Sequence, residues 1–313
     1  MIKKRHFNIV IGILLVGIIL GSFFDLQINQ ALFSKNNTFG LLMASFGTYP
    51  CYAGFAFIGG GLLATTWKRK DLPWFAKAIA YILSALGYVL GVILCAKDLP
   101  SINGFNNETL KIPSYIGCAV LFAGVYYLAF RVCSKGDKKA LWSALLVMAV
   151  IVIVGLLPVG WLVKQIIHRP RYRFFVREGV TDFYNWWQSC TGYKDFIKGD
   201  TIIDGIAMTK EEFKSFPSGH SGTAAVMMMF LPYYSMFFKK LKGKETLLFY
   251  IGFAWTLLMM FSRMLVGAHY LTDTCTGALV VMVVFYVVHV FSYSKGWVYK
   301  KEEEPQPEAE PAQ

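Results

Sequence analysis

Apolar residues run along this chain in long blocks separated by polar and basic clusters. Eight blocks approach the roughly 20 apolar residues that a helix needs to cross a bilayer: Phe7–Phe24, Cys51–Trp67, Trp74–Cys95, Ser114–Phe130, Leu141–Val163, Gly222–Phe238, Leu247–Val266 and Thr274–Phe291. The pattern predicts an all-α fold, a polytopic bundle of about eight transmembrane helices. No repeat or Gly/Ser linker divides it, so residues 1–140 and 141–293 read as one continuous membrane domain. The remainder, 294–313, is a tail whose acidic, Pro-rich end predicts disorder.

Polar connections are expected at Asp25–Pro50 and Lys97–Pro113, and a loop of about fifty residues follows Lys164. Trp186, Trp187, Tyr172 and Tyr184 in that loop argue for an ordered segment at the membrane interface. The first block follows Lys3-Lys4-Arg5, and no small-residue cleavage pattern precedes Asp25. It reads as a retained anchor helix rather than a signal peptide.

Composition narrows the class. A chain that is 56% hydrophobic and 16% charged carries more apolar surface than a soluble core of 313 residues needs. The net charge of +12 is mainly topological. Eighteen of the 31 Lys and Arg fall in alternate connections, around Lys3, Lys68, Lys138, Lys239 and Lys295, against three in the first two connections on the opposite side. Short basic loops stay in the cytoplasm, which predicts cytoplasmic N- and C-termini and leaves the long loop and Arg263–Asp273 on the outer face. Nothing in the charge pattern points to nucleic acid. The six Cys are scattered without metal-ligand spacing, and no disulfide is predicted. Asn36-Asn37-Thr38 and Asn107-Glu108-Thr109 are glycosylation acceptor patterns in outer connections, to which little weight attaches.

Three ionisable clusters stand where outer loops meet helices: Lys164 to Tyr172, Ser215 to His220, and Ser262 to Asp273. Ionisable groups at membrane depth are costly and point to function. Taken singly, each has a plainer reading. Lysines at helix ends snorkel to the interface, Ser-Gly-His can be a helix cap, and a His/Asp pair four residues apart is often only a structural contact. All three fall on one face of a topology fixed by other loops, which favours a shared site.

The residue types suit phosphoryl transfer, which rests on positioning and on stabilising charge at the phosphate oxygens. Lys164, Arg171 and Arg263 offer fixed positive charge, and the backbone N–H groups of Ser218 and Gly219, opening a helix, can cradle an anion. His269 and Asp273, four apart, would share a helix face, the carboxylate fixing the imidazole tautomer for a nucleophile. His220 would serve as general acid and then base. With no second carboxylate cluster, neither a metal nor another cofactor is expected.

The clusters resemble the three signature motifs of the type 2 phosphatidic acid phosphatase superfamily. These motifs are Lys, six residues, Arg-Pro; then Pro-Ser-Gly-His; then Ser-Arg, five residues, His, three residues, Asp. Pro217-Ser218-Gly219-His220 and Ser262-Arg263…His269…Asp273 match in full. In the first motif Lys164 leads at the proper spacing to Arg171, but Tyr172 replaces the Pro, and an Arg-Pro pair stands two residues early at Arg169-Pro170. Spacing favours Arg171, with Arg169 the alternative. The resemblance covers about Leu141 to Phe291. It implies a six-helix phosphatase core preceded by two additional helices, His269 as nucleophile, Asp273 as its partner, His220 as acid and base, and Lys164, Arg171, Ser218, Gly219 and Arg263 around the phosphate.

The expectation is a metal-independent phosphatase of a membrane lipid phosphate or pyrophosphate, working on the extracytoplasmic face. Two alternatives stand beside it. One is a phosphatase of soluble sugar phosphates. The other is a transporter or receptor that binds anionic lipid without chemistry, against which the two histidines argue.

Overall fold

The computed structural model describes residues 2–98, 108–178, 183–190, 202–203, 206–207 and 210–299. The acidic tail, Asn107 and much of the long loop lie outside these residues. Eleven α-helices organise the described chain. They are α1 (Lys4–Leu32), α2 (Thr38–Phe46), α3 (Tyr49–Thr66), α4 (Trp74–Asp98), α5 (Glu108–Ser134), α6 (Lys138–Leu157), α7 (Tyr172–Glu178), α8 (Gly219–Ala225), α9 (Met227–Tyr233), α10 (Glu245–Leu265) and α11 (Leu271–Ser294). A two-residue antiparallel pairing, Ile202–Ile203 with Ile206–Ala207, is the one strand element among the described residues.

Seven segments are long and apolar enough to cross a membrane, with α2 and α3 running together as one of them. This is the helical membrane bundle that the apolar blocks predict. The expected crossing Gly222–Phe238 departs from that pattern. It is a series of short pieces, α8, α9 and a 3₁₀ turn at Tyr234–Met236. At the α8–α9 junction the Val226 N–H bonds to the Thr223 carbonyl, tightening the turn. Pro232, inside α9, has no N–H to contribute to a helical ladder.

A second correction concerns Asp25–Pro50. The first helix does not stop at Phe24 but continues to Leu32, and Thr38–Phe46 is helical, its start capped by the Asn37 side chain on Gly40 N–H at 2.9 Å. By sequence Asp25 reads as the start of a polar connection, because its partners are distant along the chain. In the fold it is buried, as is Asn29 one turn on.

Helix α3 sits centrally, against α4, α5 and α6. Close approach needs small residues. A Cβ at Gly60 would lie 2.0 Å from the Tyr126 carbonyl oxygen, and one at Gly87 would lie 2.6 Å from the Phe55 carbonyl oxygen. The outer faces of α1, α4 and α5 expose Ile13, Phe23, Ile82, Ile116 and Val120, as lipid-facing surface does.

Gly60→Ala should therefore lower the thermal midpoint of the detergent-purified protein, a loss of about 1–3 kcal/mol from overpacking. Gly117→Ala, with open space beside it, should leave the midpoint unchanged. Equal behaviour of the two variants in a melting assay would contradict this packing account.

Candidate active site

The three clusters converge at one end of the bundle. Helix α6 ends at Leu157, where Pro158 opens a π-helical turn, Pro158–Leu162, that then tightens into the 3₁₀ turn Val163–Gln165. Such π turns relocate the residues that follow, here Lys164. Its ammonium sits beside the start of α8: a Cβ on Gly219 would lie 3.5 Å from Lys164 Nζ. Burial pulls the Lys164 pKa down to about 8, and the neighbouring Arg171 adds to the shift.

The backbone of the second cluster is held by the other two. Ser215 N–H donates to the Arg169 carbonyl at 3.0 Å, and Arg171 N–H to the Glu212 carbonyl at 2.8 Å. Ser218 N–H donates to the Asp273 carbonyl at 2.9 Å, so this group is committed to the fold and not open to an anion as the sequence suggested. Gly219, next along, opens α8, where N–H groups have no intrahelical acceptor. The Ser218 hydroxyl caps α8, accepting from Ser221 N–H at 3.3 Å. Gly277 of α11 allows the close approach: a Cβ there would fall 2.3 Å from the Ser218 carbonyl oxygen.

The third cluster turns sharply between α10 and α11. Ala268 and His269 N–H both donate to the Arg263 carbonyl, at 3.0 and 3.3 Å. Gly267 adopts φ +61°, a conformation costly for any residue with a Cβ. Its carbonyl accepts Arg173 N–H at 2.9 Å.

His269 is buried, and its Nδ1 lies 2.6 Å from the Ser215 carbonyl oxygen. A carbonyl can only accept, so Nδ1 carries the proton and Nε2 keeps its lone pair. The Asp273 carboxylate is 3.8 Å from that Nδ1. It accepts instead from the Ser215 hydroxyl at 2.5 Å and from Tyr270 N–H at 2.9 Å. His269 and Asp273 do not share a helix face, because Tyr270 is in extended conformation and α11 begins only at Leu271. Ser215 is thus a site residue whose role does not show in the motif spacing. Burial, the largest cause, brings the His269 pKa down to about 3, so the ring is neutral at physiological pH.

His220, on the first turn of α8, is held well below the usual histidine range by burial and by Arg263, His269, Lys164 and Arg171 around it. Its Nε2 is buried without a hydrogen-bond partner among the described residues, as is Arg171 Nε. Buried polar atoms left unpaired call for a partner. Burial, then the nearby Arg173, brings Arg171 down to about 10. Arg263 is buried too, its Nη2 donating to the Gly40 carbonyl at 2.5 Å.

The two arginines that compete in the sequence have different surroundings. Arg169 is fully buried. It donates from Nε to the Tyr184 carbonyl at 2.9 Å, from Nη1 to Thr272 Oγ1 at 2.8 Å and Asp273 Oδ1 at 2.5 Å, and from Nη2 to Asp25 Oδ2 at 2.9 Å. Its guanidinium also lies 4.0 Å over the Tyr270 ring. Arg171 is partly exposed, with Glu211 at 3.9 Å. Tyr172, where the motif has Pro, begins α7 and packs edge-on against Phe33 and Tyr270, with ring centroids 5.3 and 6.3 Å away.

Against known families, one model matches residues 140–297, about half of the chain, and it describes the PAP2 superfamily. The chain belongs to the PAP2 superfamily. The matched region contains all three clusters, and with PAP2 membership comes a phosphatase-type activity. Neither the curated proteins nor the solved structures provide a match.

If Lys164 supplies charge to this PAP2 site, its lowered pKa makes anion binding sensitive to alkali, since the ammonium loses its proton as pH rises through about 8. Phosphate affinity, measured by calorimetry, should fall across that range in the wild type. In Lys164→Arg, whose guanidinium stays charged, the fall should be absent between about pH 7 and 9. An identical fall in both proteins would contradict this assignment.

Proposed function

We propose that this PAP2 protein is a metal-independent membrane phosphatase that hydrolyses a lipid phosphate or pyrophosphate on the extracytoplasmic face through a phosphohistidine. The observation that carries the reading is the Nδ1 contact of His269 with the Ser215 carbonyl. It leaves Nε2 as a free nucleophile among Lys164, Arg171 and His220.

In the first step the Nε2 lone pair attacks phosphorus, a P–N bond forms and the P–O ester bond breaks. His220 gives its proton to the departing alkoxide. A phosphate arriving with negative charge offsets the cations that otherwise depress His220, which favours its protonated form. In the second step neutral His220 takes a proton from water, the water oxygen attacks phosphorus, and the P–N bond breaks. Phosphate leaves, His269 regains its lone pair and His220 its proton. Lys164, Arg171, Arg263 and the Gly219 N–H stabilise charge on the phosphoryl oxygens throughout. Ser218 shapes the start of α8, and Asp273 holds Ser215 against His269.

The sidedness is supported by the basic loops, which favour cytoplasmic termini, and by the broken run from Ser218, bonded to the Asp273 carbonyl, to Tyr233, bonded to His289 toward the other end of α11. Counted as an eighth pass made in pieces, that run keeps both termini on one side and these helix ends on the other. A site at helix ends lets a lipid keep its tails in the bilayer while presenting its headgroup.

The test is phosphate release by the purified protein with chelator present, over lipid pyrophosphates, lipid monophosphates and sugar phosphates. Lipid substrates should be preferred, and His269→Ala should lose at least about a thousandfold in kcat. A soluble sugar phosphate hydrolysed better than any lipid would overturn the substrate class, and undiminished turnover in His269→Ala would overturn the nucleophile. Arg171→Ala should lower kcat/KM by about a hundredfold with little change in melting. Arg169→Ala should chiefly lower the melting temperature, because it strands two buried carboxylates. The reverse pattern would exchange their roles.

A further inference from the structure

Helix α1 lies outside the region matched to the PAP2 superfamily, yet it reaches the site. Its residues Gly21, Asp25 and Asn29, four apart and so on one face, are all buried. Asn29 Nδ2 donates to the His269 carbonyl at 3.1 Å. Asp25 Oδ1 accepts Thr272 N–H at 3.1 Å, and its Oδ2 accepts from both Arg169 Nη2 and the Thr272 hydroxyl. Gly21 admits this contact, since a Cβ there would lie 2.7 Å from the Thr272 methyl carbon.

The charges matter as much as the geometry. Arg169 is the closest cation to Asp273, at 2.5 Å. By itself it would cancel the carboxylate that is meant to compensate the positive charge His269 gains on phosphorylation. Asp25 takes the other arm of the same guanidinium at 2.9 Å. Both carboxylates act only as acceptors, as ionised groups do. Two carboxylates on one guanidinium leave one net negative charge behind the nucleophile, in a buried setting where screening is weak.

We propose that Asp25 is a positioning residue of the phosphatase reaction, acting through Arg169 and Thr272 to keep that net charge and to hold the His269–Thr272 segment in register. This rests on the phosphohistidine reading above, so the test includes a measurement independent of turnover.

Three full-length proteins are compared: wild type, Asp25→Asn, and Asp25→Asn with Arg169→Gln. Two quantities are read, steady-state phosphate release and the affinity for orthovanadate, which mimics the five-coordinate phosphorus bonded to Nε2. Asp25→Asn should lower kcat about 10- to 100-fold with KM within about threefold, and weaken vanadate by a similar factor. The double variant removes a positive charge along with the negative one and restores the net charge. It should recover at least about threefold in kcat and vanadate affinity over Asp25→Asn. A purely structural role gives a double variant no better than the single. That result, or an unchanged kcat in Asp25→Asn, overturns the proposal.

Should Asp25→Asn fail to fold because Arg169 has lost a partner, the double variant decides, since it removes that buried guanidinium too. Vanadate affinity within about thirtyfold of wild type supports the proposal, and a greater loss overturns it. A wild type that binds vanadate but cleaves no phosphate ester defeats the phosphatase reading, while the vanadate comparison still judges Asp25.

Discussion

A guanidinium with no exposure to solvent must find all its partners within the protein, and Arg169 finds them on three separate segments. Asp25 comes from α1, the Tyr184 carbonyl from the long loop, and Thr272 and Asp273 from α11. Removing one member of such a buried group typically costs about 3–5 kcal/mol, so each segment is committed once the others are placed. The reach of α1 beyond Phe24, the packing of Phe183 and Tyr270 around the guanidinium and the turn before α11 all bring partners to this one cation. What rests on this frame is the His269 ring, held at Nδ1 by the Ser215 carbonyl while the Ser215 hydroxyl is held by Asp273.

The same physics separates the two arginines of the first cluster. Both stand in low-dielectric surroundings, but Arg169 has spent its donors inside the protein, whereas Arg171 keeps an unpaired Nε beside Lys164 and His220. A site for an anion needs both kinds of cation. The paired one fixes geometry, and the poorly paired ones supply attraction that an arriving phosphate can use. Two residues of separation suffice because the backbone is pinned at each arginine, the Arg169 carbonyl by Ser215 N–H and the Arg171 N–H by the Glu212 carbonyl.

Much of this was legible in the sequence. Apolar block length gives seven of the crossings directly, since spanning a bilayer is a constraint on composition and length alone. The matched stretch 140–297 is where the motif spacings lie. The expected crossing after Gly222 is broken, because apolar composition says nothing about where a ladder is interrupted at Val226. An i, i+4 pairing of His269 and Asp273 requires a helix from His269, whereas α11 starts two residues later. Asp25 and Asn29 fall where the pattern predicts a polar connection, although their spacing from Gly21 is a helical signal. A polar stripe on an apolar helix marks a buried partner, but only the fold shows that the partner is Arg169.

The central claim is a double displacement at phosphorus through His269, and stereochemistry tests it most directly. A phosphate ester made chiral at phosphorus with oxygen isotopes is hydrolysed by the purified protein with transfer to an acceptor alcohol, and the configuration of the product is read by phosphorus NMR. Two in-line displacements, one by Nε2 and one by the acceptor, give net retention, which is the result predicted here. Net inversion would mean that the acceptor attacks phosphorus in a single step, and His269 would no longer be the nucleophile.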